Sequence, residues 1–124
     1  MTDKGIENIK FKGKCIKDDS WVFGDLCHVM NYVAIKPFSE PYRRSLVDPS
    51  TVCLFTGMKD IEGNEVWEGD ILEGQLNGEV VFTSGTFALH PIDCKEKEVF
   101  APLYYFYIGN GTLDLKVIGN KFDK

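Results

Sequence analysis

The carboxylates of "KDIEGNEVWEGDI", Lys59 to Ile71, carry more potential chemistry than any other stretch of this chain. Glu68 and Asp70 flank a single glycine. Such a pair can run general acid–base catalysis or hold a hard cation through oxygen ligands. In an extended chain the two side chains share a face, while Gly69 lets the backbone bend. No nucleophile, base or phosphate-cradling glycine loop accompanies them, so the pair is read as a turn-builder. Aspartate beside glycine accepts backbone hydrogen bonds, and Asp25 after Gly24 is read the same way. His90 with Cys94, and His28 beside Cys27, each make half of a thiol–imidazole or metal site, and neither has a second ligand pair. No Ser/His/Asp set assembles from the spacing. The expectation is therefore no catalytic residue, no metal and no cofactor, in a protein that is not an enzyme. Trp21 and Trp67 are read as core residues rather than stacking platforms.

These residues sit in a chain whose periodicity is mostly two. "IKFKGKC" (Ile9 to Cys15) alternates apolar residues with lysine, as a half-buried strand does. Asp18-Asp19-Ser20 is a polar turn into "WVFGDLCHV", which makes a hairpin, and residues 29–36 form a further strand. Pro37 to Pro49 reads as an exposed excursion, and Thr51 to Phe55 as a strand. Turns follow at Gly63-Asn64, Gly69-Asp70, Asn77-Gly78, Ser84-Gly85 and Asn110-Gly111. Asn77-Gly78, between "ILEGQL" and "EVVF", is the strongest hairpin signal. Residues 91–99 are loop-like, with a helical turn through Lys95 to Val99, and "LDLKVIGN" closes the chain by pairing back onto the meander. "WVFGDL" and "VWEGDI" look like one local solution used twice, a glycine bulge with an aspartate beside it. Gly57 and Gly69 are expected at positive φ, and Asp70 is expected to tolerate asparagine for less than ~1 kcal/mol.

With 124 residues, 44% hydrophobic and 27% charged, the chain is too apolar for disorder and long enough for one core without metal or disulfide help. Four separated cysteines with no Cys-x-x-Cys pair, no leader-like N-terminus and no run of the ~20 apolar residues needed to span a bilayer point to a cytoplasmic protein with reduced thiols. Net charge is −5 but segregated: residues 1–17 are net +3 and residues 59–79 net −6. An acidic total argues against non-specific nucleic-acid binding, while the basic arm can dock on an acidic face.

Several of these residues also carry a resemblance. Lys10-Phe11-Lys12-Gly13-Lys14, Trp21-Val22 with Gly24, Val47-Asp48-Pro49, Phe55-Thr56-Gly57, Lys59-Asp60, Gly63, Trp67-Glu68-Gly69-Asp70-Ile71, Gly78-x-Val80-x-Phe82 and Ile118-Gly119-Asn120 stand in register. Together they resemble the YopX-like family of phage and prophage proteins, from about Ile9 to Asn120. Lys12 stands where arginine is frequent in that family, and Ile61-Glu62 replaces a more polar pair. The resemblance implies a C-terminal SH3-like barrel or roll of short antiparallel strands after a smaller N-terminal part. It transfers no activity and no catalytic residue.

The combined expectation is a mainly β protein, with a β-hairpin lobe over residues 1–50 and an SH3-like barrel over 51–124, together one compact unit. The motif residues Thr56, Gly57, Lys59, Asp60, Gly63, Trp67, Glu68, Gly69, Asp70, Gly119 and Asn120 are read as mainly structural. "FAPLYYFYI" is apolar on both faces whether strand or helix, and a small barrel covers only one. Phe100, Tyr104, Tyr105, Phe106 and Tyr107 are therefore the candidate interface. The functional expectation is a phage-derived accessory protein acting through protein–protein contacts and self-association, with a phage or host protein as a further partner and no membrane. The alternative is a nucleic-acid-associated regulator using the barrel and the basic N-terminal arm; an enzyme is the third reading.

Overall fold

Among the described residues, thirteen short strands account for most of the backbone, and the expected mainly β class is what the chain adopts. The structure, a computed structural model, describes residues 9–40, 42–93, 95–96 and 99–123. It divides between Phe55 and Thr56 into two compact units. Among the described residues, no helix is long and apolar enough to cross a membrane.

In the first unit, β1 (Phe11–Lys14), β2 (Trp21–Val29), β3 (Tyr32–Pro37) and β4 (Ser45–Val47) pair antiparallel in chain order. The start of β5 (Cys53–Lys59) pairs with the other side of β1. The Asp18–Ser20 turn forms as expected, with Asp19 at φ 63° and Asp18 accepting from the Ser20 amide at 3.1 Å. Asp18 is held below its ordinary pKa, first by the Ser20 hydroxyl and then by that amide. A two-residue turn, Met30-Asn31, separates β2 from β3. The Pro37–Pro49 excursion is not wholly exposed, because it contains β4, whose Ser45 and Val47 are buried. β4 is also joined back to the end of β1 by a Cys15–Val47 bridge and by the Ile16 amide donating to Leu46 O at 3.0 Å.

The alternating lysines of β1 do not reach outward as half-buried strands usually arrange them. Lys12 and Lys14 are buried, with their ammonium groups 4.3 and 4.9 Å from the centre of the Trp21 ring, and Lys10 lies 4.7 Å from that of Phe55. The long lysine stems cover apolar surface while aromatic faces receive the charges.

In the second unit, the end of β5 pairs with β6 (Glu65–Trp67) and, in parallel, with β12 (Thr112–Leu113), which pairs with β11 (Tyr107–Gly109). A second sheet has the order β10-β9-β8-β7-β13, formed by β7 (Asp70–Gly74), β8 (Gly78–Thr83), β9 (Thr86–Pro91), β10 (Ala101–Pro102) and β13 (Leu115–Asn120). β13 does return to the meander, antiparallel to β7. The sheet has β10 and β13 at its edges among the described residues, so the meander expected to form a barrel does not close into one. Its core gathers Val66, Leu72, Val80, Leu89, Leu103, Phe106, Leu113 and Leu115.

Ser84-Gly85 and Asn110-Gly111 are two-residue hairpin turns with positive φ throughout, as their composition predicts. Asn77-Gly78 is not. Its hairpin exists, but Gly78 has entered β8 opposite Leu72, and a Cβ there would lie 2.5 Å from His90 O. That glycine serves close strand packing rather than a turn.

Candidate functional site

Asp60 is 1% exposed and its carboxylate accepts four hydrogen bonds. Oδ1 takes the Glu62 amide at 2.9 Å and the Asn64 amide at 2.7 Å, while Oδ2 takes the Asn64 side-chain amide at 3.2 Å and the Val117 amide at 2.9 Å. The Lys59-Asp60…Gly63 motif is thereby a loop wound around an anion, with Gly63 at φ 88° completing the turn. The Val117 contact and the Ile61 amide on Leu115 O at 2.9 Å fasten that loop to β13. Burial pushes the Asp60 pKa up, but the amides of Val117, Asn64 and Glu62 and the Asn64 side chain outweigh it and hold the group below its ordinary value.

Asp70 does the same at the next corner. It is 3% exposed, and Oδ2 accepts the Trp67 amide at 2.8 Å while Oδ1 accepts Asn120 Nδ2 at 2.9 Å. Gly69, at φ 88°, donates its amide to Val80 O at 2.8 Å and accepts the Lys121 amide at 2.9 Å. Asn120 completes the knot by accepting the Phe122 amide at 2.9 Å. Within "EGD" the Asp70 carboxylate thus holds a turn, and the Glu68 backbone carbonyl accepts Asn120 Nδ2 at 3.4 Å. Trp67 is buried. Thr56 donates to Val66 O at 2.7 Å and accepts the Met58 amide at 3.2 Å, shaping the bend at Gly57, which has φ 83°. The Lys59 amide bonds Gly111 O at 2.8 Å, and Gly119 lies beside an irregularity in the β7–β13 register.

The expected likeness of "WVFGDL" to "VWEGDI" does not hold. Gly24 continues β2 and Asp25 is an exposed ladder residue opposite Lys36, whereas Gly69-Asp70 is a buried corner. The two sequences differ in what lies across the chain from them, and a six-residue pattern carries no record of that. His90 contacts Val99 O through Nδ1 at 3.0 Å and Phe100 at a ring separation of 5.5 Å; His28 is exposed. Cys94 lies outside the described residues, as do Lys97 and Glu98 of the expected helical turn.

The aromatic stretch is neither one strand nor one helix. β10 leads into a 3₁₀ turn, Leu103–Phe106, and β11 follows. The turn splits the candidate interface. Leu103 and Phe106 face inward, Phe106 at 6% exposure, while Tyr104 and Tyr105 stand 73% and 78% exposed. Phe106 is therefore core and leaves the interface set. Tyr107 is half-buried, stacked on Tyr104 at 5.1 Å, with its hydroxyl accepting the Gly111 amide at 2.9 Å. Phe100 remains at the surface, and so does Ile108.

A family model described as YopX protein matches residues 5–124. No curated protein matches the chain.

Proposed function

The chain belongs to the YopX protein family, and from that premise we propose a non-enzymatic, phage-derived accessory protein that works through protein–protein contacts, including contacts between its own copies. The observation that carries this reading is the Tyr104–Tyr105 pair. Two consecutive tyrosines project from a turn whose other residues, Leu103 and Phe106, are embedded in the core. Anchored in this way, the rings are presented rigidly, and their burial on association costs little side-chain entropy. The motif carboxylates support the same reading from the other side, because Asp60 and Asp70 are engaged in holding turns.

Each tyrosine offers ~150–250 Å². Two rings at three-quarters exposure supply roughly 300 Å², well under the ~800 Å² per partner of a standard interface. Self-association through this ledge, with neighbours such as Ile108 and a polar rim, is correspondingly weak. Light scattering at micromolar concentration should show a mass above 14.0 kDa that rises with concentration. Tyr104→Glu and Tyr105→Glu should return the monomer without unfolding it. A wild-type protein that stays at monomer mass defeats the proposal, as does an oligomer indifferent to both substitutions.

A further inference from the structure

We propose that the first unit carries a binding surface for single-stranded nucleic acid, centred on Arg44 and taking only Lys17 of its cations from the basic N-terminal arm. Two clefts adjoin there. One, about 320 Å³, is lined by Cys15, Ile16, Lys17, Arg43, Arg44, Ser45 and Leu46. The other, about 370 Å³, is lined by Cys27, Lys36, Tyr42 and Arg44. Both are at the small end of ligand sites, and Arg44 is the residue they share.

Among the described residues, three of the four cations lining these clefts are unpaired, and the fourth, Arg43, is held by Glu40. The side chains of Lys17, Lys36 and Arg44 take part in no hydrogen bond or ion pair among the described residues. Of the nearby carboxylates, Glu40 is held by Arg43 at 3.1 Å, and Asp25 stands opposite Lys36 on the β2–β3 ladder without an ion pair. A guanidinium between two clefts, with a lysine in each, suits successive phosphates of one chain. Tyr42 adds the second requirement. It is fully exposed, and its ring belongs to no aromatic pair or hydrogen bond among the described residues, which leaves a face for a base to stack on.

An acidic peptide would use the same cations, but the local backbone does not favour it. Peptides commonly gain affinity by adding a strand to a sheet edge, and here the outer edge of β4 is already taken by Cys15 and Ile16. The acidic total of the chain is no obstacle either. With the buried Lys12 and Lys14 set aside, described residues 9–55 carry five Lys/Arg against five Asp/Glu, so the acidic excess of the whole chain is not carried by this unit. Lys12 and Lys14, which the basic-arm reading would use, are buried on Trp21 and add nothing to this surface.

The test is fluorescence anisotropy with a labelled oligothymidylate of about 15 nucleotides, long enough for one small site, at low salt and then at rising salt. Binding should weaken with a log–log slope of about −2, as three cations on a single strand require. Arg44→Glu should weaken it at least tenfold and Tyr42→Ala several-fold, with circular dichroism unchanged. Should Arg44→Glu misfold, the double variant Lys17→Gln/Lys36→Gln takes its place with the same expected loss. No binding at low salt overturns the proposal. So does affinity that the charge variants leave unchanged, and so does competition by polyglutamate as effective as by unlabelled oligonucleotide, which would make the surface an acidic-peptide site. Tyr104→Glu should leave oligonucleotide affinity unchanged, so failure here and failure of the self-association reading are separable.

Discussion

Asp60 shows how a buried carboxylate can be structural without a cationic partner: four N–H donors take the place of one. The local half of this was readable, since Asp60 precedes a Gly-Asn turn. The Val117 amide was not, because it comes from 57 residues further along the chain and no local pattern encodes it. The charge state follows from the geometry. Hydrogen bonds favour the ionised form, so the folded pKa lies below the ordinary 3.8. A carboxyl depressed in this way stabilises the fold above its unfolded pKa, and that contribution is lost as pH falls through the folded value. Wild-type stability should therefore decline from about pH 4 downward. Asp60→Asn should cost about 1–3 kcal/mol at neutral pH, because an amide must turn one donor toward another, and should flatten the acid decline. Denaturant midpoints across that range check both. A variant with the wild-type acid profile would remove Asp60 from the account.

At the scale of elements, turns were legible where backbone geometry alone selects the residues. Ser84-Gly85 and Asn110-Gly111 need two positive φ angles and have them. Gly78 was misread because a glycine needed for close packing and one needed for a turn look identical in sequence. The β6–β7 corner raises the same issue for Asp70. As a lone turn residue it would tolerate asparagine, which was the expectation. With the Trp67 amide and Asn120 Nδ2 both donating to its carboxylate, an asparagine NH₂ must oppose one of them. Asp70→Asn should therefore cost more than ~1 kcal/mol, reversing that expectation. Gly69→Val should also exceed ~1 kcal/mol, since a β-branched residue at φ 88° is strained. Urea midpoints of the two variants decide it. An Asp70→Asn protein as stable as wild type would show that the corner holds without the carboxylate.

Over the whole molecule, the charge is divided much as the contacts are. Residues 1–55 carry eight Lys/Arg against seven Asp/Glu, and residues 56–124 six against twelve. The family match spans nearly all of both. Its cysteines bear on what stabilises it. Cys53 is fully buried, with Sγ 3.3 Å from Thr51 O, and Cys15 and Cys27 are half-buried; none of these three is in a disulfide. Buried thiols of this kind behave as small apolar side chains, and the stability they contribute is insensitive to redox state. A native disulfide would add ~2–4 kcal/mol, equivalent to roughly 10 °C in Tm for a chain of this size. Thermal unfolding with and without reductant should give the same midpoint. A fall of several degrees on reduction would mean that cross-linking, rather than burial and the two carboxylate-centred turns, holds the fold together.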